Sequence, residues 1–407
     1  MQVERVRFSW RGLTPAVLMR VDLMRVDRDR RLRRHVYRLY TDYGIVFFMN
    51  DPDLRLVQFE IPGKGRRAGI VCGDFIADLT DGFPDIRSTY DLFFHAFQQG
   101  AKLASFLRSI DTKSLRQFAY VSWGHKPPAG IGQPESRKST AEVRIRLLPP
   151  IDHPDPAHCL ITGTGLTHLG SARQRDSMHA HAKPESLTDS QKMFEMGVKG
   201  GKPFSGRGVQ PEWFYKGTGL ILRGPGDLLD IPEFGEECGE EPEIAGCYII
   251  DHDGVPHRLG FVVANEWSDH AMEKQNYLWL APSKLRTCSI GPELVLTEQF
   301  RNLRGRARVL RKGQSIYDSG EILTGEENMS HSLANLEDHF FKYKQFCHPG
   351  DMHIHFFGTS KLSFGNCPPL DDGDIVAMQF EGMGPPLVNF VRRLAQSKEP
   401  VRVKTEI

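Results

Sequence analysis

No run of apolar residues in this 407-residue sequence is long enough to cross a bilayer, and no basic stretch leads into an apolar one in the manner of a secretion signal. The expectation is therefore a soluble, cytoplasmic protein without a membrane partner. Seven cysteines (Cys72, Cys159, Cys238, Cys247, Cys288, Cys347 and Cys367) are odd in number, scattered and without a C-x-x-C pair. That spacing excludes a disulfide framework and a thiolate zinc site, and it fits a reducing compartment. A formal net charge of +1 leaves no general attraction to nucleic acid. No internal repeat or heptad is present, which excludes a solenoid or coiled coil. The glycine-rich "GTGLTHLG" is spaced G-x-G-x-x-x-x-G, not G-x-G-x-x-G, and no βαβ alternation follows it, so a dinucleotide site is excluded as well.

What is present is the composition of an ordinary globular protein, 40% hydrophobic and 25% charged, long enough for one large core or two domains. Residues 1–50 are Arg-rich ("MRVDRDRRLRRHVYRLY") with poor amphipathic order, and they precede a second methionine, Met49. This segment is expected to be an extension outside the fold, the alternative being a basic arm for an acidic partner. Residues 51–148 read as a small α+β N-terminal domain: short strands in "LRLVQFE" and "RRAGIVCGDFIADL", then helical spacing in "TYDLFFHAFQQGAKLASFLRSI". A stretch rich in Pro, Gly, Ser and Lys from Gly124 to about Pro156 marks the boundary. Residues 149–395 carry many short apolar strands separated by D-G, G-P and P-G turns, and 396–407 form a tail. The expected fold class is mixed α/β, mainly β.

One stretch concentrates the chemistry. In "EEPEIAGCYIIDHDG", Glu240 to Gly254, acidic residues enter an apolar strand, a costly placement unless something positive meets them. Glu241 and Glu243 share a strand face, while Glu240 points to the other and drops out. Asp253-Gly254 is a hairpin signal followed by a returning strand, "HRLGFVVANEWSDH". A two-residue turn there puts His252 opposite Val255 and, counting outward, Glu241 opposite Glu266. Three carboxylates on one patch repel one another and call for a counter-ion. Ligation by acid oxygens alone selects a hard divalent cation, Mg²⁺ first, with Mn²⁺ or Ca²⁺ as substitutes. The competing reading is a solvated acidic edge. The H-x-H pairs His179/His181 and His353/His355 suit zinc or iron only with a third ligand, and His353 and His355 are expected in the core. The polar segment "MHAHAKPESLTDSQKMFEMGVKGGKP" reads as a lid or as an inert loop.

With these residues in hand, "EPEIAG", "GFVVANEWSDH" and "SKLRTCSIGPEL" together resemble the metal-binding core of the fumarylacetoacetate hydrolase superfamily. "PEWFYKG", "HFFGTSKLSFG" and "LDDGDIVAMQFEGMGPPLVNFV" follow the same family order. The resemblance covers about Ile151 to Val391, with Leu54 to about Leu148 similar to the family's small N-terminal domain. It implies Glu241, Glu243 and Glu266 as metal ligands and rolled mixed β-sheets around them. It further implies Lys216, Lys284, His168 and Ser171 as catalytic groups, and Thr359, Ser360, Lys284 and Ser171 against the substrate. Two positions depart from the usual pattern: Glu266 stands where most members have Asp, and Ser171 where the hydrolases have histidine, with His168 in the place of their tyrosine. These departures resemble the branch that dehydrates 2-keto-3-deoxy sugar acids. The implied activity is a Mg²⁺-dependent dehydratase of a 2-keto-3-deoxypentonate, working through an enolate and releasing 2-oxoglutarate semialdehyde. The alternative is a C–C bond hydrolase of a 2,4-dioxo acid, and a further one is a non-catalytic sugar-acid-binding regulator with this fold. A small-molecule 2-oxo acid and a homodimer are the implied partners. A lysine beside the cation is expected to have a lowered pKa and to serve as base.

Overall fold

The structure is a computed structural model. It describes the backbone of residues 37–40 and 46–49, and in full residues 53–120, 145–170, 188–395 and 399–406. The Arg-rich segment up to residue 36, the linker residues 121–144 and residues 171–187, which hold Ser171, His179 and His181, lie outside the described residues.

The architecture is mixed and mainly β, as expected. One sheet of thirteen strands runs, edge to edge, through Gln117–Ala119, Phe75–Asp78, Gly65–Cys72, Leu54–Ile61, Leu294–Leu296, Pro256–Asn265, Pro242–Ile250, Met352–Phe356, Cys159–Gly163 and Phe214–Thr218, with three short strands off this path. A second sheet of six strands includes Leu303–Arg311, Ile375–Phe380 and Leu387–Arg393. The strands of the N-terminal segment belong to the first sheet. Leu56 pairs with Leu294, so the strand Leu54–Ile61 is hydrogen-bonded directly to the C-terminal half of the chain. A buried ion pair on the same seam reinforces the join: Arg55 donates to Glu293 at 2.8 Å and to the Gly382 carbonyl at 2.8 Å.

Pro242–Ile250 sits at the centre of the large sheet, and all nine of its residues are buried. Ala245, Cys247 and Ile249 pack into one core with Leu92, Phe93 and Ile161, while Ile244 packs into the other, between the sheets, with Phe261, Val309 and Phe380. A strand covered on both faces reads as a continuous apolar run, which is why "IAGCYII" shows no alternation. Seven free thiols are distributed over the two cores and the surface.

The hairpin turn departs from the count made on the sequence. Asp251 faces Val255, and the Gly254 N–H donates to the Asp251 carbonyl at 3.1 Å, so the loop has three residues with Gly254 at φ 78°. That alone slips the pairing by one. A β-bulge between Cys247 and Tyr248, where Leu259 is the extra residue of the return strand, slips it back. Pro242 then pairs with Asn265 and Glu243 with Ala264, and the Glu266 N–H donates to the Glu241 carbonyl at 3.1 Å. Two one-residue offsets cancel, and the acids meet.

Candidate metal centre

Glu241, Glu243 and Glu266 stand where the two central strands leave the sheet. Each offers a carboxylate oxygen, and the three oxygens lie within 4.8 Å of one another. All three residues are buried. Four further segments close around them. Phe214 and Lys216 are two apart on a strand and point inward, with Tyr215 exposed between them. Lys284 caps the short helix Leu280–Ser283. Ser268 lies on the same strand continuation as Glu266, and the chain then turns into the helix His270–Gln275, whose N-terminus Asp269 caps by accepting from the Met272 N–H.

The Lys284 ammonium donates to Glu241 Oε1 at 2.5 Å, Glu266 Oε2 at 2.7 Å and Ser268 Oγ at 3.1 Å, and it stands 5.0 Å over the Phe214 ring. Lys216 donates to Glu266 Oε1 at 2.6 Å and to the carbonyls of Trp267 and Lys284 at 2.6 and 2.9 Å. An ammonium has three hydrogens, so Lys216 spends all of its donors on protein oxygens. Glu243 accepts from the Gly358 N–H at 2.7 Å, and no cation among the described residues pairs with it. Gly358 has to be glycine there: its φ is 90°, and a Cβ would fall 2.6 Å from Thr167 Oγ1 and 2.9 Å from the Thr164 carbonyl.

Three carboxylates thus face two ammoniums, and the acid left over is Glu243. Its carboxyl is pushed well above the usual range by burial and by the charges of Glu266 and Glu241. Burial also favours neutral Glu241, but Lys284 and His270 outweigh it and hold that carboxyl well below the usual range. At Glu266 burial prevails over Lys216 and Lys284, and the value rises. Burial opposes the charge on Lys284, yet Glu241 and Glu266 keep its ammonium above the usual lysine range. The lowered value expected for a lysine at this site is therefore not a property of the polypeptide alone. A buried, mutually repelling set of oxygens with one carboxylate lacking a cation is the donor set that a hard divalent ion fits.

The other expected site residues are more dispersed. His168 is fully buried behind the Gly358 turn, with Nδ1 3.1 Å from Thr167 Oγ1 and Nε2 2.7 Å from Thr324 Oγ1, and burial lowers its pKa to about 3. Thr359 follows Gly358, but its hydroxyl donates to the Lys361 carbonyl at 3.1 Å. Ser360 is half-buried beside Gly170, the residue before Ser171. Ser171 itself lies outside the described residues. His353 and His355 sit on the central strand Met352–Phe356 against Phe340 and Phe341, as core residues. Glu240 faces away from the cluster and accepts from Ser363, at 2.8 Å from its N–H and 2.5 Å from its hydroxyl. Sequence reasoning did not single out Ser268 and His270. Ser268 Oγ donates to Glu266 Oε1 at 3.0 Å, and His270 Nε2 lies 3.1 Å from Glu241 Oε1. The signal was there for Ser268, two residues after Glu266 and so on its face; His270 reaches Glu241 only because the chain turns into a helix.

No family model matches the chain, and no curated protein does so either. Solved structures match its shape. An apo form of 2-keto-3-deoxy-D-arabinonate dehydratase superposes with a TM-score of 0.54 at 18% identity, covering 84% of this chain and all of that one. The same dehydratase complexed with magnesium and 2,5-dioxopentanoate gives 0.55 over the same coverage. The structure of Cg1458 with an inhibitor gives 0.51 at 16% identity, again over 84% of this chain. With its two mixed sheets and the acids at the mouth of the central hairpin, the chain has the fumarylacetoacetate hydrolase-like fold.

Proposed function

We propose that this protein is a cation-dependent lyase that removes water from a 2-keto-3-deoxy sugar acid of the xylonate or arabinonate kind, giving 2-oxoglutarate semialdehyde, that is, 2,5-dioxopentanoate. The observation that carries this reading is the buried meeting of Glu241, Glu243 and Glu266 with Lys284 at the end of the central hairpin. A similar fold in a dehydratase complexed with magnesium and 2,5-dioxopentanoate supports it. A Mg²⁺ ion held by the three carboxylates would supply a Lewis acid for the carboxylate and ketone oxygens of a 2-oxo acid.

Dehydration takes a proton from C3 of the substrate and hydroxide from C4, which leaves with a proton as water. The C3=C4 enone that remains, with its hydroxyl on C5, loses a C5 proton to give a dienol, and reprotonation at C3 and C4 gives the aldehyde. Lys284, whose three donors go to Glu241, Glu266 and Ser268, is the ammonium we place beside the substrate oxygens as a positive charge, because two of its partners are the cluster's own acids. Lys216, expected as a catalytic group, is better supported as a positioning residue. Its three donors hold one oxygen of Glu266 and tie the Trp267 and Lys284 carbonyls together, which fixes the segment bearing both Glu266 and Lys284. Ser360 is more open than Thr359, the other hydroxyl expected against the substrate. A soluble, cytoplasmic homodimer with residues 1–50 dispensable remains the proposal made on the sequence; no helix among the described residues is long and apolar enough to cross a membrane.

The test is incubation of the purified protein with Mg²⁺ and 2-keto-3-deoxy-D-xylonate or arabinonate. Formation of 2,5-dioxopentanoate with no pyruvate supports the lyase. Cleavage of acylpyruvates alone would replace it with the C–C hydrolase, and full turnover after exhaustive chelation would remove the cation.

A further inference from the structure

At the other end of the strands that lead to the carboxylates, a second cluster has formed from residues the proposed reaction does not use. Cys159–Gly163 and Met352–Phe356 are parallel neighbours, with Cys159 paired to Met352. The residues before them, His158 and Asp351, are therefore brought side by side, and the turn before Asp351 adds His348. Asp351 Oδ1 lies 2.7 Å from His158 Nδ1 and 3.3 Å from His348 Nδ1. Both imidazoles thus aim the same nitrogen at one oxygen, their ring centres 5.9 Å apart. The support is rigid: the Asp351 N–H donates to the His348 carbonyl at 3.1 Å, and its carbonyl accepts from the Ile250 N–H at 2.9 Å. Asp351 is buried, whereas the His158 and His348 side chains are 48% and 64% exposed, so the pocket is anchored below and open above.

We propose that His158, His348 and Asp351 form a second metal site, for a borderline transition ion such as Zn²⁺, separate from the three-carboxylate centre. Zinc-to-nitrogen and zinc-to-oxygen bonds of about 2.0–2.2 Å set neighbouring tetrahedral ligands roughly 3.3 Å apart. The three donor atoms already lie within 4.8 Å of one another, with Asp351 Oδ1 2.7 and 3.3 Å from the two nitrogens, and the two exposed imidazoles are free to adjust towards that geometry. Imidazole nitrogen is a poor ligand for Mg²⁺ and Ca²⁺ and a good one for zinc, copper and nickel, so donor chemistry sorts the cations between the two sites. Water completes the coordination on the open side. His153 does not complete it through Nδ1, which accepts from the Asp155 N–H at 2.9 Å. The ion replaces the protons on the two Nδ1 atoms and joins the turn at 348–351 to the segment ahead of residue 159.

The experiment is Zn²⁺ and Co²⁺ titration of untagged, chelator-stripped full-length protein in excess Mg²⁺, read by equilibrium dialysis and by the visible absorption of tetrahedral Co²⁺. One ion per chain is expected for the parent and for Glu243→Gln. His348→Ala, at an exposed position whose loss leaves folding intact, is expected to weaken binding about 100-fold, as is His158→Gln, and to remove the Co²⁺ bands. Equal uptake by the parent and the His158→Gln/His348→Ala double variant overturns the site. So does uptake lost in Glu243→Gln but kept in His348→Ala, and so does no uptake at all.

Discussion

The two ends of the central strands make opposite use of ionisable side chains. At one end Glu241, Glu243 and Glu266 are buried and crowded, and the polypeptide supplies two ammoniums that satisfy only two of them. At the other end His158, His348 and Asp351 meet at the surface, and a carboxylate and two imidazoles already satisfy one another. The difference is one of desolvation. A buried charge without a partner costs several kcal/mol, so the first end is the one at which a bound cation would add stability. At the second end, where both imidazoles are exposed, a change of partner should cost the fold little.

Changes at the buried end should have the largest effects. Glu243→Ala is expected to abolish turnover of the sugar acid and to weaken Mg²⁺ by at least about 100-fold, measured by calorimetric titration. The same removal should raise the melting temperature of the cation-free protein, because a strained buried acid has gone. Next comes Lys216→Met, which takes an ammonium from Glu266, leaving it Lys284 and Ser268, and removes a buried donor from the Trp267 and Lys284 carbonyls. A loss of roughly 3–5 kcal/mol in denaturant unfolding is expected; an unfolding curve that coincides with the parent's would deny Lys216 its positioning role. Gly358→Ala ranks third: a side chain at that φ, pressed on Thr167 and Thr164, should destabilise by about 1–3 kcal/mol and displace the N–H that holds Glu243.

The pH dependence of stability sharpens the comparison further. Glu243 is held above the usual carboxyl range, so its favourable contribution belongs to the protonated form. That contribution is present below the unfolded-state value of about 4.3 and is lost as pH rises through the higher folded-state value. The stabilisation conferred by Mg²⁺ should therefore grow as pH rises towards neutrality, and Glu243→Gln should flatten the trend in thermal melts. The smallest effect belongs to the open end. His348→Ala should leave turnover unchanged and the metal-free melting temperature close to that of the parent. A large drop in either would mean that the two ends are coupled.

Much of the buried end was legible in the sequence. Strand alternation put Glu241 and Glu243 together and sent Glu240 to the other face, where it meets Ser363. The opposition of Glu241 and Glu266 was also expected, although the turn that was counted is not the turn that forms. It emerges because a three-residue loop and the bulge at Leu259 displace the register in opposite senses. His168 was read from the sequence as a catalytic candidate; its burial was not legible, since beside its neighbour Thr167 its other partner, Thr324, lies 156 residues away. Ser268 was overlooked although strand alternation put it on the face of Glu266, whereas His270 was not legible because its partner Glu241 is 29 residues away.

What the sequence determined by itself is local: which residues share a strand face, which acids enter an apolar strand, and therefore that a positive partner is required. Those properties arise from a two-residue period and from the cost of burying charge, and neither depends on tertiary structure. Only the tertiary structure decided which partners arrive. Lys216 and Lys284 come to Glu266 from 50 and 18 residues away, and Asp351 meets His158 across 193 residues. Such meetings depend on strand order and on compensating irregularities in register, which no local pattern encodes.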